Sequence, residues 1–223
     1  MPPFKINVDS SKQFVFDIET IPLEKSQYDP LLEELVEKKL NKALKADPDL
    51  DKTSECKKIR AIDPLLGRIV CIGIYLPQTD EKITLIDSSE KLILQKFWRR
   101  LSTFNGLFVG FNTVRFDVPF ILRRSLIHEV KPTNGLFLQY TRFDPNPPHF
   151  DVMLQMSGRD GFLSLKYACA ALGIKSSKDG KVSAENVAQA YEDGRINEIA
   201  EYCLEDVRAT YQIYEKLTDY IAR

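Results

Sequence analysis

The chain has 223 residues, enough for one domain with a substantial core. With 43% hydrophobic and 28% charged residues its composition is globular, and no apolar run approaches the ~20 residues of a membrane-spanning helix. Its 31 basic and 32 acidic residues leave a net charge of −1, which excludes holding nucleic acid by bulk charge and demands a local basic patch instead.

The N-terminal Met1-Pro2-Pro3-Phe4-Lys5 lacks the long apolar core of a signal peptide. Cys56, Cys71, Cys169 and Cys203 are scattered, without the paired spacing of a zinc site. A cytoplasmic protein with reduced thiols is the expectation.

In chain order, the apolar run Phe14-Val15-Phe16 predicts a buried strand that ends in Asp17-Ile18-Glu19-Thr20. Ile21-Pro22 breaks it. The stretch 24–60 is dominated by charge, and Leu31, Leu32, Leu35, Val36, Leu40 and Leu44 predict an amphipathic helix over 30–46, ended by Asp47-Pro48. Residues 49–60 are polar and lysine-rich, with little to bury, and are expected to be mobile. The whole of 24–60 is expected to be an excursion from the core.

A second strand, Arg68 to Tyr75, is apolar almost throughout and hence central. Gln78-Thr79-Asp80 turns it into Ile83-Thr84-Leu85-Ile86 as a hairpin. A helix over 90–102 turns Leu92, Phe97 and Leu101 inward. Leu107 to Phe111 is the fourth strand, with a helix over 115–127 that accommodates Pro119 in its first turn. A loop covers 131–148, and Phe150-Asp151-Val152 is a short fifth strand. Helices follow over 163–172, 183–192 and 195–221, punctuated by Gly173 and Gly194. Three meander strands, then alternating helices and strands, then helices, define an α/β domain on one mixed sheet.

Acidic residues recur at chosen places in this frame. A strand alternates its faces, so Asp17 and Glu19 point the same way and repel each other unless a cation sits between them. Oxygen ligands at this spacing suit Mg²⁺ or Mn²⁺. Asp117 follows the fourth strand at the sheet's C-terminal edge, where α/β folds build sites. On the last helix Tyr202 and Asp206 lie one turn apart on one face, beside Ile199, while Cys203, Val207, Tyr211 and Tyr214 pack on the sheet and Glu205 is solvated.

Asp17-x-Glu19, Asn112-x-x-x-Phe116-Asp117 and Tyr202-x-x-x-Asp206 occur in this order with helix-sized gaps. Together they resemble the three motifs of the DEDD 3′–5′ exonucleases, which have a ribonuclease H-like fold. The tyrosine resembles the "y" branch; the "h" branch has histidine five residues before the last Asp, where this chain has Glu201. Gly67 to Gly73, Gly110 through Phe120, His149-Phe150-Asp151, Leu163-Ser164-Leu165, Ala171 to Ile174 and Ile199 to Cys203 look like stand-alone exonucleases related to the proofreading domain of family B DNA polymerases. The resemblance covers nearly the whole chain except 24–60.

It implies a ribonuclease H-like, mixed five-stranded sheet flanked by helices, as a single 3′–5′ exonuclease domain over 1–223 with a charged helical insertion. The implied activity removes nucleotides from single-stranded 3′ ends, DNA favoured over RNA, in a setting such as DNA repair. Two divalent cations roughly 4 Å apart would clamp the scissile phosphate. By the resemblance Asp17, Glu19 and Asp206 hold the ion that activates water, Asp17 bridges to a second ion supported by Asp117, and Tyr202 orients the water. Asn112 is the side chain best placed to meet substrate, with Phe111 either stacking on a base or packing in the core. Arg115, Arg123, Arg124, Arg142 and Arg159 are candidate phosphate contacts. His149 and Asp151 are expected to anchor a strand by hydrogen bonds. The alternatives are a non-catalytic module that grips nucleic-acid ends and a metal-dependent nucleotide phosphatase.

Overall fold

The computed structural model describes residues 8–140, 148–158, 161–175 and 182–221. Strand β1 (Asp9–Pro22) starts well before its apolar run and is the middle strand of five. It pairs antiparallel with β2 (Gly67–Leu76), which pairs antiparallel with β3 (Glu81–Ile86). On its other side β1 runs parallel to β4 (Gly106–Gly110), and β4 parallel to β5 (His149–Asp151), in the order β3-β2-β1-β4-β5. This is the mixed, helix-flanked sheet of a ribonuclease H-like α/β fold.

Alternation along β1 feeds two cores. Phe14, Phe16 and Ile18 join an aromatic cluster with Phe97, Trp98, Phe108 and Phe137, beneath α3 (Glu90–Leu101) and α4 (Asp117–Ile127). Val15 faces the other way, with Val109 and Val207, toward the long helix α8 (Ile196–Ile221). Burial of the large aromatics on removal from water is worth roughly 1.5–3 kcal/mol per side chain, so the sheet's centre is the firmest part of the molecule. Between β5 and α8 lie the short helices α5 (Val152–Ser157), α6 (Leu165–Leu172) and α7 (Val187–Glu192). No helix among the described residues is long and apolar enough to cross a membrane.

Three local expectations change. Leu92 is turned outward, 43% exposed, and Ile93 and Leu94 take the buried face of α3 instead. The loop after α4 contributes to the core: Asn134 accepts from the N–H groups of Leu136 and Phe137 and donates to the carbonyls of Leu101 and Phe104, which lets Phe137 be fully buried. The polar stretch 49–60 is ordered as α2 (Lys52–Ile62), capped by Asp51, whose carboxylate accepts from Ser54 N–H.

α2 lies against α1 (Glu33–Ala46) through a small apolar cluster of Val36, Ile59 and Leu66, flanked by Leu32, Leu35 and Leu40. Lys39 pairs with the buried Asp63, and Arg60 with Glu33 at 3.0 Å. Pro22 and Gly67 are register partners, so the α1–α2 hairpin leaves and rejoins the sheet at one point. It is an elaborated β1–β2 connection with its own minor core.

Candidate active site

β1 aims its acids at α8. Asp17 pairs with Gly73 and Glu19 with Cys71 across the β1–β2 ladder, and the register shifts between Glu19 and Thr20. Such irregularities bend a strand and re-aim side chains, commonly next to functional sites. Gly73 lets α8 approach: a Cβ there would come within 2.8 Å of the Cys203 sulfur and 3.2 Å of its carbonyl oxygen.

Asp117 arrives from the opposite side. It is the first residue of α4 and only 1% exposed, yet it does more than cap its own helix. Its Oδ1 accepts the N–H of Ile18 at 3.0 Å, between Asp17 and Glu19, and so ties the start of α4 to the end of β1.

The turn leading to Asp117 is held by Asp151. Its two oxygens accept the N–H groups of Asn112 and Val114, each at 3.0 Å, while Oδ1 also accepts Leu154 N–H at the start of α5. Asn112 there adopts a left-handed backbone (φ 62°), a conformation asparagine tolerates better than most residues. Its side-chain Oδ1 is buried without a hydrogen-bond partner. His149 donates from Nε2 to the Phe137 carbonyl at 2.9 Å, and burial lowers its pKa to about 4, so the ring is neutral. The anchoring roles expected of His149 and Asp151 match this geometry.

α8 supplies the last pair. The Tyr202 phenol stands one turn from Asp206, and burial together with Asp206, Glu19 and Asp17 pushes its ionisation up, so it acts only as a neutral phenol. Asp206 in turn raises the pKa of both Asp17 and Glu19.

Asp117 and Asp206 therefore both act on Asp17 and Glu19, and the electrostatics around Asp17, Glu19 and Asp117 are unbalanced. Burial, then Asp117, Glu19 and Asp206, push the Asp17 carboxyl well above the usual range. Burial, then Asp206, the Cys71 thiol and Asp117, do the same to Glu19, which is 8% exposed. Asp117 is pushed up to about 8, chiefly by burial and against the Ile18 N–H bond. No cationic side chain is among the groups acting most strongly on these three. Carboxylates gathered this way ionise together only with an external cation, and an all-oxygen set of this kind fits Mg²⁺ or Mn²⁺.

The remaining candidates separate. Arg115 is exposed beside the site, its guanidinium reaching the Gly161 carbonyl at 3.4 Å. Arg123 is exposed on α4. Phe111 is partly buried and packs against the α8-side core. Arg124 is not a phosphate contact: it is 3% exposed and its guanidinium is bound to Glu90 at 2.6–3.1 Å. Arg142 and Arg159 lie outside the described residues.

Sequence reasoning assigned Cys203 to packing alone. Its sulfur, fully buried, lies 3.6 Å from the Asp17 carbonyl oxygen and 3.8 Å from Asp17 Oδ2. The long reach of Asp151 was also missed, because the local sequence shows only its role at the start of α5.

Comparison with known proteins gives three findings. Residues 64–222 match the family described as a predicted 3′–5′ exonuclease related to the exonuclease domain of PolB; β1, with Asp17 and Glu19, precedes that segment. An uncharacterized protein of Methanocaldococcus jannaschii is 30% identical over 169 residues, covering 71% of this chain and 90% of that protein. The family B DNA polymerase of the hyperthermophilic archaeon Pyrobaculum calidifontis has a similar fold, with a TM-score of 0.61 at 15% identity over 92% of this chain. The chain spans only 24% of that polymerase's length. The chain belongs to the family of predicted 3′–5′ exonucleases related to the exonuclease domain of PolB.

Proposed function

We propose that the protein is a metal-dependent 3′–5′ exonuclease of the tyrosine-bearing DEDD type. In this reading it removes nucleotides from single-stranded 3′ ends, DNA in preference to RNA, by two-metal-ion hydrolysis of the phosphodiester. The observation that carries this reading is the burial of Asp17, Glu19 and Asp117 near Asp206 with no cationic side chain among the strongest influences on those three.

Asp17, Glu19 and Asp206 would hold one Mg²⁺ or Mn²⁺, and Asp17 and Asp117 would serve a second. The chemistry such ions supply is neutralisation of charge on the phosphoryl oxygens and acidification of water. Tyr202, kept neutral one turn from Asp206, would orient the attacking water beside that carboxylate. Asp117 also fixes the end of β1 through Ile18 N–H, so one residue both holds an ion and sets the position of its neighbours. Half-buried Asn112 beside the acids meets the terminal nucleotide, exposed Arg115 meets a phosphate, and the accessible edge of Phe111 meets a base.

A 5′-labelled single-stranded oligonucleotide with a free 3′-OH tests this reading. The expected result is a ladder of stepwise shortened products that requires Mg²⁺ or Mn²⁺. Intact DNA and RNA with either ion would contradict it, leaving an end-binding module; hydrolysis confined to mononucleotides would replace it with a nucleotide phosphatase.

A further inference from the structure

Cys203 is in contact with Asp17, and the proposed hydrolysis does not use it. One oxygen each of Asp17 and Glu19 and the Cys203 sulfur lie within 4.8 Å of one another.

The dimensions discriminate between kinds of cation. Tetrahedral coordination with metal–sulfur bonds of about 2.3 Å and metal–oxygen bonds of about 2.0–2.2 Å puts sulfur and oxygen roughly 3.6 Å apart. Octahedral Mg²⁺ with bonds of about 2.0–2.1 Å separates adjacent ligands by only about 2.9 Å. Asp17 Oδ2 and Cys203 Sγ stand 3.8 Å apart, close to the first spacing. A thiolate is moreover a soft ligand that favours Zn²⁺ over Mg²⁺. Scattered cysteines argue against a structural zinc site, but a mixed carboxylate–thiolate site leaves no C-x-x-C signature.

We propose that Asp17, Glu19 and Cys203 form an alternative seat for a thiophilic divalent ion of the Zn²⁺, Cd²⁺ or Co²⁺ class, which competes for the two carboxylates with the hard ion of hydrolysis. The proposal rests on the reading that Asp17 and Glu19 hold a divalent ion. With a hard ion Cys203 remains a protonated thiol against the Asp17 carbonyl. With a thiophilic ion the thiol proton leaves to solvent and the sulfur becomes a ligand. Zinc then acts as an inhibitor seated on the site's own residues.

The test uses the full metal-free chain titrated with Co²⁺, read by its thiolate-to-cobalt charge-transfer absorption in the near ultraviolet, with Mn²⁺ binding followed in parallel by calorimetry. The expected result is a saturable band in the wild type, erased by added Zn²⁺, absent in Cys203→Ser and Asp17→Asn, and retained in Cys71→Ser. Zn²⁺ affinity should fall in Cys203→Ser by at least the ~10–100-fold that loss of an outer partner costs. A wild type that binds Mn²⁺ but shows no band overturns the proposal, as does a band that survives Cys203→Ser. The wild-type spectrum and Asp17→Asn keep the test decisive if the cysteine variant fails to fold. A wild type that binds no Mn²⁺ but shows a band erased by both Asp17→Asn and Cys203→Ser overturns the hydrolytic reading and leaves the thiophilic seat standing.

Discussion

The molecule buries acidic side chains in two places, and they differ in what neutralises them. Beneath α3 and α4, Glu90 is 6% exposed, but Arg124 binds both its oxygens, His128 Nε2 lies 2.7 Å from Oε2, and Ile69 N–H donates to Oε1. Arg124 further donates to the Pro64 carbonyl. That centre carries its own cation and satisfies its hydrogen bonds. At the C-terminal ends of β1 and β4, by contrast, Asp17, Glu19 and Asp117 face one another and Asp206 with no arginine or lysine among their strongest influences. A buried acid with a built-in partner holds the fold together; a group of buried acids without one waits for a ligand.

The sharpest way to break this contrast is to remove an acid from the unbalanced centre and the cation from the balanced one. Asp17→Asn and Asp206→Asn should abolish metal-dependent nuclease turnover while leaving thermal stability in the metal-free state equal or higher, since each relieves repulsion. In the other centre, Arg124→Ala strands Glu90 and should cost about 3–5 kcal/mol of stability, with near-normal turnover per folded molecule. Chemical denaturation and single-turnover rates on the same preparations check both. An active Asp17→Asn, or an Arg124→Ala that melts like the wild type, would erase the distinction.

Tyr202→Phe probes the edge of the unbalanced centre with a smaller effect. Loss of one orienting hydrogen bond is worth roughly 1–3 kcal/mol, or about one to two decades in rate. Mn²⁺ affinity measured by calorimetry should hardly move. An unchanged single-turnover rate would make Tyr202 a packing residue, and lost Mn²⁺ binding would make it part of the ion site.

Much of the unbalanced centre was legible because its residues obey short-range rules. Asp17 and Glu19 share a face by strand alternation, and Tyr202 and Asp206 share one by helical spacing. The order of β1, β4 and α8 then followed from apolar runs of strand and helix length. The balanced centre was harder to see. Ile121, Arg124, Ser125 and His128 recur at helical spacing on the buried aspect of α4, yet an arginine there read as a surface cation, because Glu90 lies 34 residues away. α2 was missed for a related reason. Ile59 is its one fully buried side chain, and what it buries against, Val36 and Leu66, is contributed from outside the helix. Cys203 was legible as buried but not as a neighbour of Asp17, which stands 186 residues before it.

The central claim is that Asp17, Glu19 and Asp117 have no cationic side chain among their strongest influences, and the coupling of metal to pH in thermal melts tests it most directly. Asp117 has its pKa raised from 3.8 to about 8, so between those values the folded chain holds a proton that the unfolded chain has lost. Stability of the metal-free protein is therefore full at low pH and falls as pH rises toward 8. His149, lowered from 6.5 to about 4, acts in the opposite direction, costing stability as pH falls from 6.5, but it is neutral in both states above 6.5. Melts from pH about 6.5 to about 8 thus isolate the acids. The account predicts a Tm that declines across this window without metal and a Mn²⁺-induced rise in Tm that grows with pH, because the ion binds the ionised carboxylates. A metal-free Tm that is flat or rising, with no Mn²⁺ effect at either end, would contradict it.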